Sequence, residues 1–160
     1  MIYIPHHIAD LYSTYAFVSE PVHEGKIWHG NSLIWETSTP YMYFRVTDDN
    51  RILGGGKDDP FYNPEKRDAR VKMKAKALLQ SFNKKFPHIP IRIDFSWAGT
   101  FAATADGLPY IGSLPGKPNT FFTLGFGGNG ITFSVIGAQM IRDAILEKKN
   151  DNAALFSFSR

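Results

Sequence analysis

Trp97-Ala98-Gly99-Thr100-Phe101-Ala102-Ala103-Thr104-Ala105-Asp106-Gly107-Leu108-Pro109-Tyr110-Ile111-Gly112 runs on through a loop and the apolar run Phe121-Phe122-Thr123-Leu124 into Gly125-Phe126-Gly127-Gly128-Asn129-Gly130-Ile131. This stretch, residues 97–135, reads as β-like runs, a glycine-rich loop and the start of a helix. A strand that ends in glycines and feeds a helix leaves unpaired N–H groups converging on one spot. The helix dipole adds partial positive charge there, which suits a phosphate, a carboxylate or the anionic edge of a cofactor. The plain alternative is a strand-to-helix turn whose glycines only supply positive φ. Four glycines within residues 125–130 exceed what such a turn needs.

Composition sets the frame for that loop. The length of 160 residues fits one domain, and 43% apolar with 14% aromatic content supports a real core. Cysteine is absent, which removes disulfides, thiolate nucleophiles and Cys-based metal sites. A net charge of +3 argues weakly, if at all, for nucleic acid. The first residues lack the pattern of a signal peptide, and no run has the length of a membrane span. A cytoplasmic protein is the expectation. His6-His7 find no third ligand at a recognisable spacing, and His23, His29 and His88 are scattered among turn residues, so no metal is expected.

Outward from the opening stretch, the N-terminal half reads as strands. Residues 11–22, 32–37, 41–47 and 51–55 are predicted strands, the last two joined by Asp48-Asp49-Asn50. Residues 41–47 alternate. Met42, Phe44 and Val46 form a core face, while Tyr41, Tyr43 and Arg45 share the other, which suits a flat or anionic ligand. A solvated face with Arg45 paired to an acid is the alternative. Gly54-Gly55-Gly56 lies across the hairpin and is read as space beside the tyrosines.

Residues 63–86 are predicted as one helix, with Asn63 as N-cap, Pro64 at the first position and Glu65 in the first turn. Val71, Ala75, Leu78, Phe82 and Phe86 form its buried stripe. Lys66, Lys72, Lys74, Lys76 and Lys84 fall mostly outside it, as a solvated face rather than a nucleic-acid patch. Residues 91–104 form a long strand with Phe95, Trp97, Gly99 and Phe101 on one side. Residues 105–107 turn the chain, residues 108–114 return, residues 115–119 form a loop and residues 120–124 lead into the glycines. The last helix, from about Gly130 to Lys148, carries an apolar stripe (Ile131, Val135, Ala138, Ile141, Ile145) and a small one (Gly130, Ser134, Gly137, Ala138). Small residues at that spacing admit a close neighbour, either a partner helix outside these residues or the sheet beside it. The tail ends in Phe156 and Phe158.

Taken together, the Trp97-Ala98-Gly99, Thr104-to-Gly112 and Gly125-to-Ile131 motifs resemble the C-terminal half of the D-amino-acid oxidase superfamily of FAD-dependent oxidoreductases, which includes glycine oxidase and sarcosine oxidase. The resemblance covers residues 11–160. It implies an α+β fold with a mixed, mainly antiparallel sheet, a long helix packed on it and a C-terminal helix. It divides the chain into a substrate-domain-like region, 1–104, and the C-terminal part of an FAD-binding domain, 105–160. It implies oxidation of a small amine, amino acid or hydroxy acid by hydride transfer to flavin. Carried over residue by residue, Gly125, Phe126, Gly127, Gly128, Asn129, Gly130 and Ile131 would lie at the pyrimidine edge of the flavin. Asp106, Gly107 and Gly112 would mark re-entry into the FAD domain, and Tyr41, Tyr43, Arg45 and Trp97 would line the substrate. No catalytic residue is assigned.

Two departures qualify the resemblance. The Gly-x-Gly-x-x-Gly fingerprint that opens the family's Rossmann half is absent. The chain therefore reads as part of an enzyme. FAD is expected only in the completed protein, the isolated chain is expected to be inactive, and the faces left without the N-terminal half, the Gly130-Ser134-Gly137 stripe and the glycine loop, are expected to be exposed and to favour self-association. In addition, Phe101 stands where glycine-oxidase-like members carry a carboxylate-clamping arginine, which leaves Arg45 as the candidate clamp. A free-standing ligand-binding or regulatory module that has lost flavin is the other reading.

Overall fold

The computed structural model describes residues 8–23 and 27–160; His6-His7 lie outside the described residues. The chain forms two compact units. One comprises residues 12–100, and the other residues 1–11 with 101–160.

The first unit holds a five-stranded sheet in the order β2-β3-β4-β1-β5, from β1 (Asp10–Pro21), β2 (Ile34–Trp35), β3 (Met42–Val46), β4 (Arg51–Pro60) and β5 (Ile93–Ala103). The β2–β3, β3–β4 and β4–β1 pairs are antiparallel. The predicted alternation of β3 is present: Met42 and Phe44 are buried, while Tyr43 is half-buried and Arg45 exposed. The 32–37 strand shrinks to Ile34–Trp35, because the chain bends at residues 38–40 right after it. By contrast β4 runs on to Pro60, through the three glycines, because β1 is long enough to pair it from Pro21↔Arg51 to Tyr12↔Pro60.

One face of this sheet is covered by a helix. Tyr15, Phe17, Met42, Phe44 and Ile52 pack with Ala75, Leu78 and Phe82. Phe82 stands edge-on to Phe44 at 5.3 Å. The predicted single helix is two, α1 (Pro64–Ala69) and α2 (Val71–Lys85). Asn63 caps α1 as expected, accepting from the Lys66 N–H at 2.8 Å. No proline or glycine marks the break at Arg70. The side chains on either side of it are instead drawn to the sheet: Arg70 and Lys74 both bind Asp59, at 2.8 and 2.7 Å, and Arg67 reaches Thr100 at 2.9 Å. Lys74 therefore leaves the predicted solvated lysine face, while Lys66, Lys72, Lys76 and Lys84 are exposed. Burial pushes the Asp59 carboxyl up, but Lys74 and Arg70 hold it below its ordinary value. Arg51 ties β4 to β1 through the Ser19 carbonyl at 3.1 Å and reaches past it to Asp94 of β5 at 2.5 Å.

The second unit holds the hairpin β6 (Tyr110–Leu114) and β7 (Lys117–Leu124), then α3 (Gly130–Ile145) and a 3-10 turn, Ala153–Phe156. The predicted 115–119 loop is shorter, since β7 already starts at Lys117. Ile111, Met140 and Phe156 form its core, with Phe133, Ile136 and Ile141 packed against them. The expected exposure of the Gly130-Ser134-Gly137 stripe is corrected at Gly137, which is buried, whereas Ile131, Val135, Ala138 and Ile145 are exposed, and Ile131 is 88% so. The cause is Gly137. A Cβ there would stand 2.5 Å from Thr123 Cγ2, so its absence lets α3 seat its opposite side on β7. The small residue thus serves the chain's own sheet.

Candidate functional site

The uncovered face of the five-stranded sheet gathers the candidate substrate residues. Trp35 pairs with Tyr43 across β2–β3 and so shares its side of the sheet. Trp35 stands edge-on to Tyr41 at 6.4 Å, and Tyr41 stacks on Tyr43 at 6.4 Å. On β5, Gly99 faces Thr14, and the pleat places Trp97 and Phe95 on that same side. Both are open to solvent, Trp97 at 44% and Phe95 at 63%. Arg45 is exposed and has no ion-pair partner among the described residues.

The glycine triplet behaves differently from its sequence reading. It leaves no free space beside the tyrosines. The Tyr43 ring lies over Gly55, the Phe17 and Phe44 rings close on Gly54, and the Tyr41 carbonyl abuts Gly56. Each glycine admits a part of the protein itself.

Sequence reasoning passed over Asp58, whose neighbours in sequence gave no signal. A bend in the strand at Gly56 (φ 121°) and Lys57 (φ 55°) turns Asp58 to the open face and Asp59 to the helix face. The Thr14 and Tyr41 hydroxyls lean on the Asp58 carboxyl, more loosely than hydrogen bonds of standard geometry, and Oδ1 is buried without a partner. Burial pushes this carboxyl above its ordinary value. Burial, then Asp58, pushes the Tyr41 phenol up to about 12, and burial also raises Tyr43.

In the second unit the glycine loop joins β7 to α3. Gly125 adopts φ 78°, and a Cβ there would stand 2.6 Å from Thr104 Cγ2. Phe126 bridges to Ala103, and the Gly127 N–H donates to the Ala102 carbonyl at 2.8 Å. The Asn129 N–H donates to the Phe126 carbonyl at 3.1 Å. Gly127 and Asn129 are thus engaged internally. Gly128 is exposed, and Gly130 and Ile131 open a helix with no side-chain cap and no acid in its first turn. Helix-opening N–H groups without a cap favour an anionic or acceptor edge.

Asp106 and Gly107 sit in the turn before β6. Asp106 accepts from the Leu108 N–H at 3.0 Å and from Arg160 Nε at 2.9 Å. Arg160 also donates to the Leu108 and Pro109 carbonyls and lies 3.7 Å from the Tyr110 ring centre. Arg160 and these contacts hold Asp106 down to about 2. The tail's part in this cluster left no local trace in the sequence. Among the described residues, no group of three His, Cys, Asp or Glu side chains is placed to hold a metal, and no helix is long and apolar enough to cross a membrane.

Comparison with known proteins gives a consistent result. Residues 5–144 match the family described as FAD dependent oxidoreductase, DAO. The gamma-glutamylputrescine oxidoreductase of Escherichia coli K12 is 30% identical over 104 residues, 64% of this chain and 22% of that protein. The glycine oxidase of Bacillus subtilis 168 is 32% identical over 88 residues, 55% of this chain and 22% of that protein. Among solved structures, L-proline dehydrogenase from P. horikoshii superposes with a TM-score of 0.77 at 22% identity, covering 96% of this chain and 41% of that one. Glycine oxidase from Geobacillus kaustophilus gives 0.70 at 20% identity, covering 95% and 40%. These superpositions establish a shared α+β fold. The chain spans well under half the length of each of these proteins.

Proposed function

The chain belongs to the FAD dependent oxidoreductase family, and from that premise we propose that it supplies the substrate face and the flavin-edge loop of an enzyme oxidising a small amine or amino acid. Tyr41, Tyr43, Arg45 and Trp97 would hold the substrate. The N–H groups of Gly128, Gly130 and Ile131, at the uncapped start of α3, would meet the anionic edge of the flavin. That uncapped start after a glycine turn is the observation that carries the reading. When bound, the flavin accepts the hydride and the electrons. The chain's own residues orient the substrate and stabilise developing charge. Arg45 would bind an anionic group in place of the arginine missing at Phe101.

A dinucleotide-binding part, whose fingerprint is not among these 160 residues, is proposed as the partner of the exposed Ile131-Val135-Ala138-Ile145 stripe. The relatives' extra length and the apolar character of that stripe support the pairing. The gamma-glutamylputrescine and glycine oxidising relatives favour an amine or amino acid over a hydroxy acid.

Amide NMR of the chain titrated with excess FAD tests the flavin-edge role. The resonances of Gly128, Gly130 and Ile131 are expected to move first, and Gly128→Val should abolish the shift while leaving the fold intact. Shifts confined to residues elsewhere would refute the assignment.

A further inference from the structure

The Arg160 side chain is only 16% exposed, and all three of its guanidinium nitrogens are engaged. Nε and Nη2 donate to Asp106 at 2.9 and 3.2 Å, Nη1 donates to the Pro109 carbonyl at 3.0 Å, and Nη2 also donates to the Leu108 carbonyl at 2.7 Å. The tail itself is anchored by Phe156, which is buried in the core of this unit, and by Phe158, which stacks on Tyr110 at 5.3 Å. The guanidinium fastens the 106–109 turn, and its effect reaches further through Leu108. That carbonyl oxygen has two lone pairs, and the second takes the Thr104 hydroxyl at 2.8 Å. Holding the hydroxyl of the buried Thr104 fixes its χ1, and with it the place of its methyl. The methyl lies against Gly125, where a Cβ would stand 2.6 Å from it. Gly125, at φ 78°, opens the glycine loop; next along, Phe126 bridges to Ala103 and the Gly127 N–H donates to the Ala102 carbonyl at 2.8 Å. A continuous path therefore runs from Arg160 through Leu108 and Thr104 to the loop that leads into α3, all of it within one compact unit.

We propose that Arg160 is a positioning residue for the flavin-edge loop. It acts through Leu108 and Thr104 rather than on the reacting atoms. An arginine suits the task because its planar fork meets a carboxylate and two carbonyls at once, which the point charge of a lysine does not. With the loop held, the N–H groups of Gly128, Gly130 and Ile131 stand at fixed places, and donors fixed in advance need no reorganisation when charge develops beside them. The proposal rests on the reading of this loop as the flavin edge.

Losing any clamp lowers overall stability, so the deciding readout is local. Amide hydrogen exchange, followed by NMR on the chain itself, compares Gly127 with the amides of the β6–β7 hairpin. A merely structural clamp would speed both equally. Arg160→Gln should speed Gly127 about tenfold or more beyond the hairpin. Thr104→Val keeps the shape and removes the hydroxyl, so it should speed Gly127 in the same way while the Leu108 N–H, bonded to Asp106, exchanges as in the parent. In the double variant Gly127 should be no faster than in Thr104→Val, because the two residues act along one path. Asp106→Asn keeps an acceptor for the Leu108 N–H and removes the charge that holds Arg160. It takes the place of Arg160→Gln if that variant does not fold, with the same expected effect on Gly127 and the same loss of that effect once Thr104 is valine. Gly127 exchange that follows the hairpin amides, or additive effects in the double variant, would overturn the proposal. Excess FAD separates this proposal from the reading it rests on. Where the Gly128, Gly130 and Ile131 resonances of the parent chain respond, the response should fall in Arg160→Gln and in Thr104→Val, and an undiminished response would also overturn the proposal. If the parent shows no response there, the flavin-edge reading fails, and the exchange cycle still decides whether Arg160 positions the loop.

Discussion

Three adjacent glycines in β4 should respond to alanine in three different ways, because each meets a different neighbour. At Gly56, an alanine would be forced into φ 121°, a conformation costing about 1–3 kcal/mol for a residue with a Cβ. Its methyl would also collide with the Tyr41 carbonyl, which accepts the Lys57 N–H at 3.1 Å. Losing that bond adds about 0.5–1.5 kcal/mol. The total for Gly56→Ala is about 2–4 kcal/mol. Gly54 has ordinary φ but lies between buried rings, with a Cβ 2.6 Å from Phe17 and 2.8 Å from Phe44. Overpacking of this kind costs about 1–3 kcal/mol. At Gly55 the obstacle is the far end of the Tyr43 side chain, which can swing away over an open face. Gly55→Ala should cost less than about 1 kcal/mol, within the range of β-propensity. Urea unfolding of the three variants, with constant m-values, measures the order Gly56, Gly54, Gly55. Tyr43 resonances should shift strongly in Gly55→Ala alone. Equal costs at all three positions, or the greatest cost at Gly55, would refute this account of how the hairpin is packed.

Other outcomes follow from the second unit. The Asp106 carboxyl is held down to about 2 by Arg160, so the folded state binds its proton less readily than the unfolded chain. That contribution is fully present above the ordinary carboxylate range and is lost as pH falls through about 2. Thermal unfolding between about pH 4 and pH 2 should therefore fall less steeply for Asp106→Asn than for the parent chain. On α3, Ile131 and Val135 stand exposed on one stripe. Light scattering should show self-association of the chain that weakens in Ile131→Asp; a monomer at all concentrations would remove the case for a docking face there.

Much of this fold is written locally. The Met42-Phe44-Val46 alternation, the Asn63 cap and the Gly125-to-Gly130 turn each state their geometry within a few residues, and each is found as read. What the sequence did not disclose depends on partners far away in the chain. Arg70 breaks a continuous helical pattern where Asp59 holds Arg70 and Lys74. Gly137 reads equally as a contact for a partner helix or for the sheet beside it, and the position of Thr123 shows that it seats α3 on β7. The glycine triplet reads as space because a sequence does not show the rings of Phe17, Phe44 and Tyr43 arriving from neighbouring strands. Asp58 and Asp59 are indistinguishable as a pair of acids. The backbone turn at Gly56-Lys57 sends one to the helix and the other to the open face.

The central claim is that this chain meets flavin only along the edge near the start of α3. Three backbone N–H groups contribute about 0.5–1.5 kcal/mol each. Against them stands the loss of translational and rotational freedom, about 4–15 kcal/mol. Calorimetric titration of the chain with FAD measures the balance directly. The account predicts binding far weaker than micromolar. A dissociation constant near about 1 μM, corresponding to about 8 kcal/mol, with one FAD per chain, would show a complete flavin site within these 160 residues and contradict it.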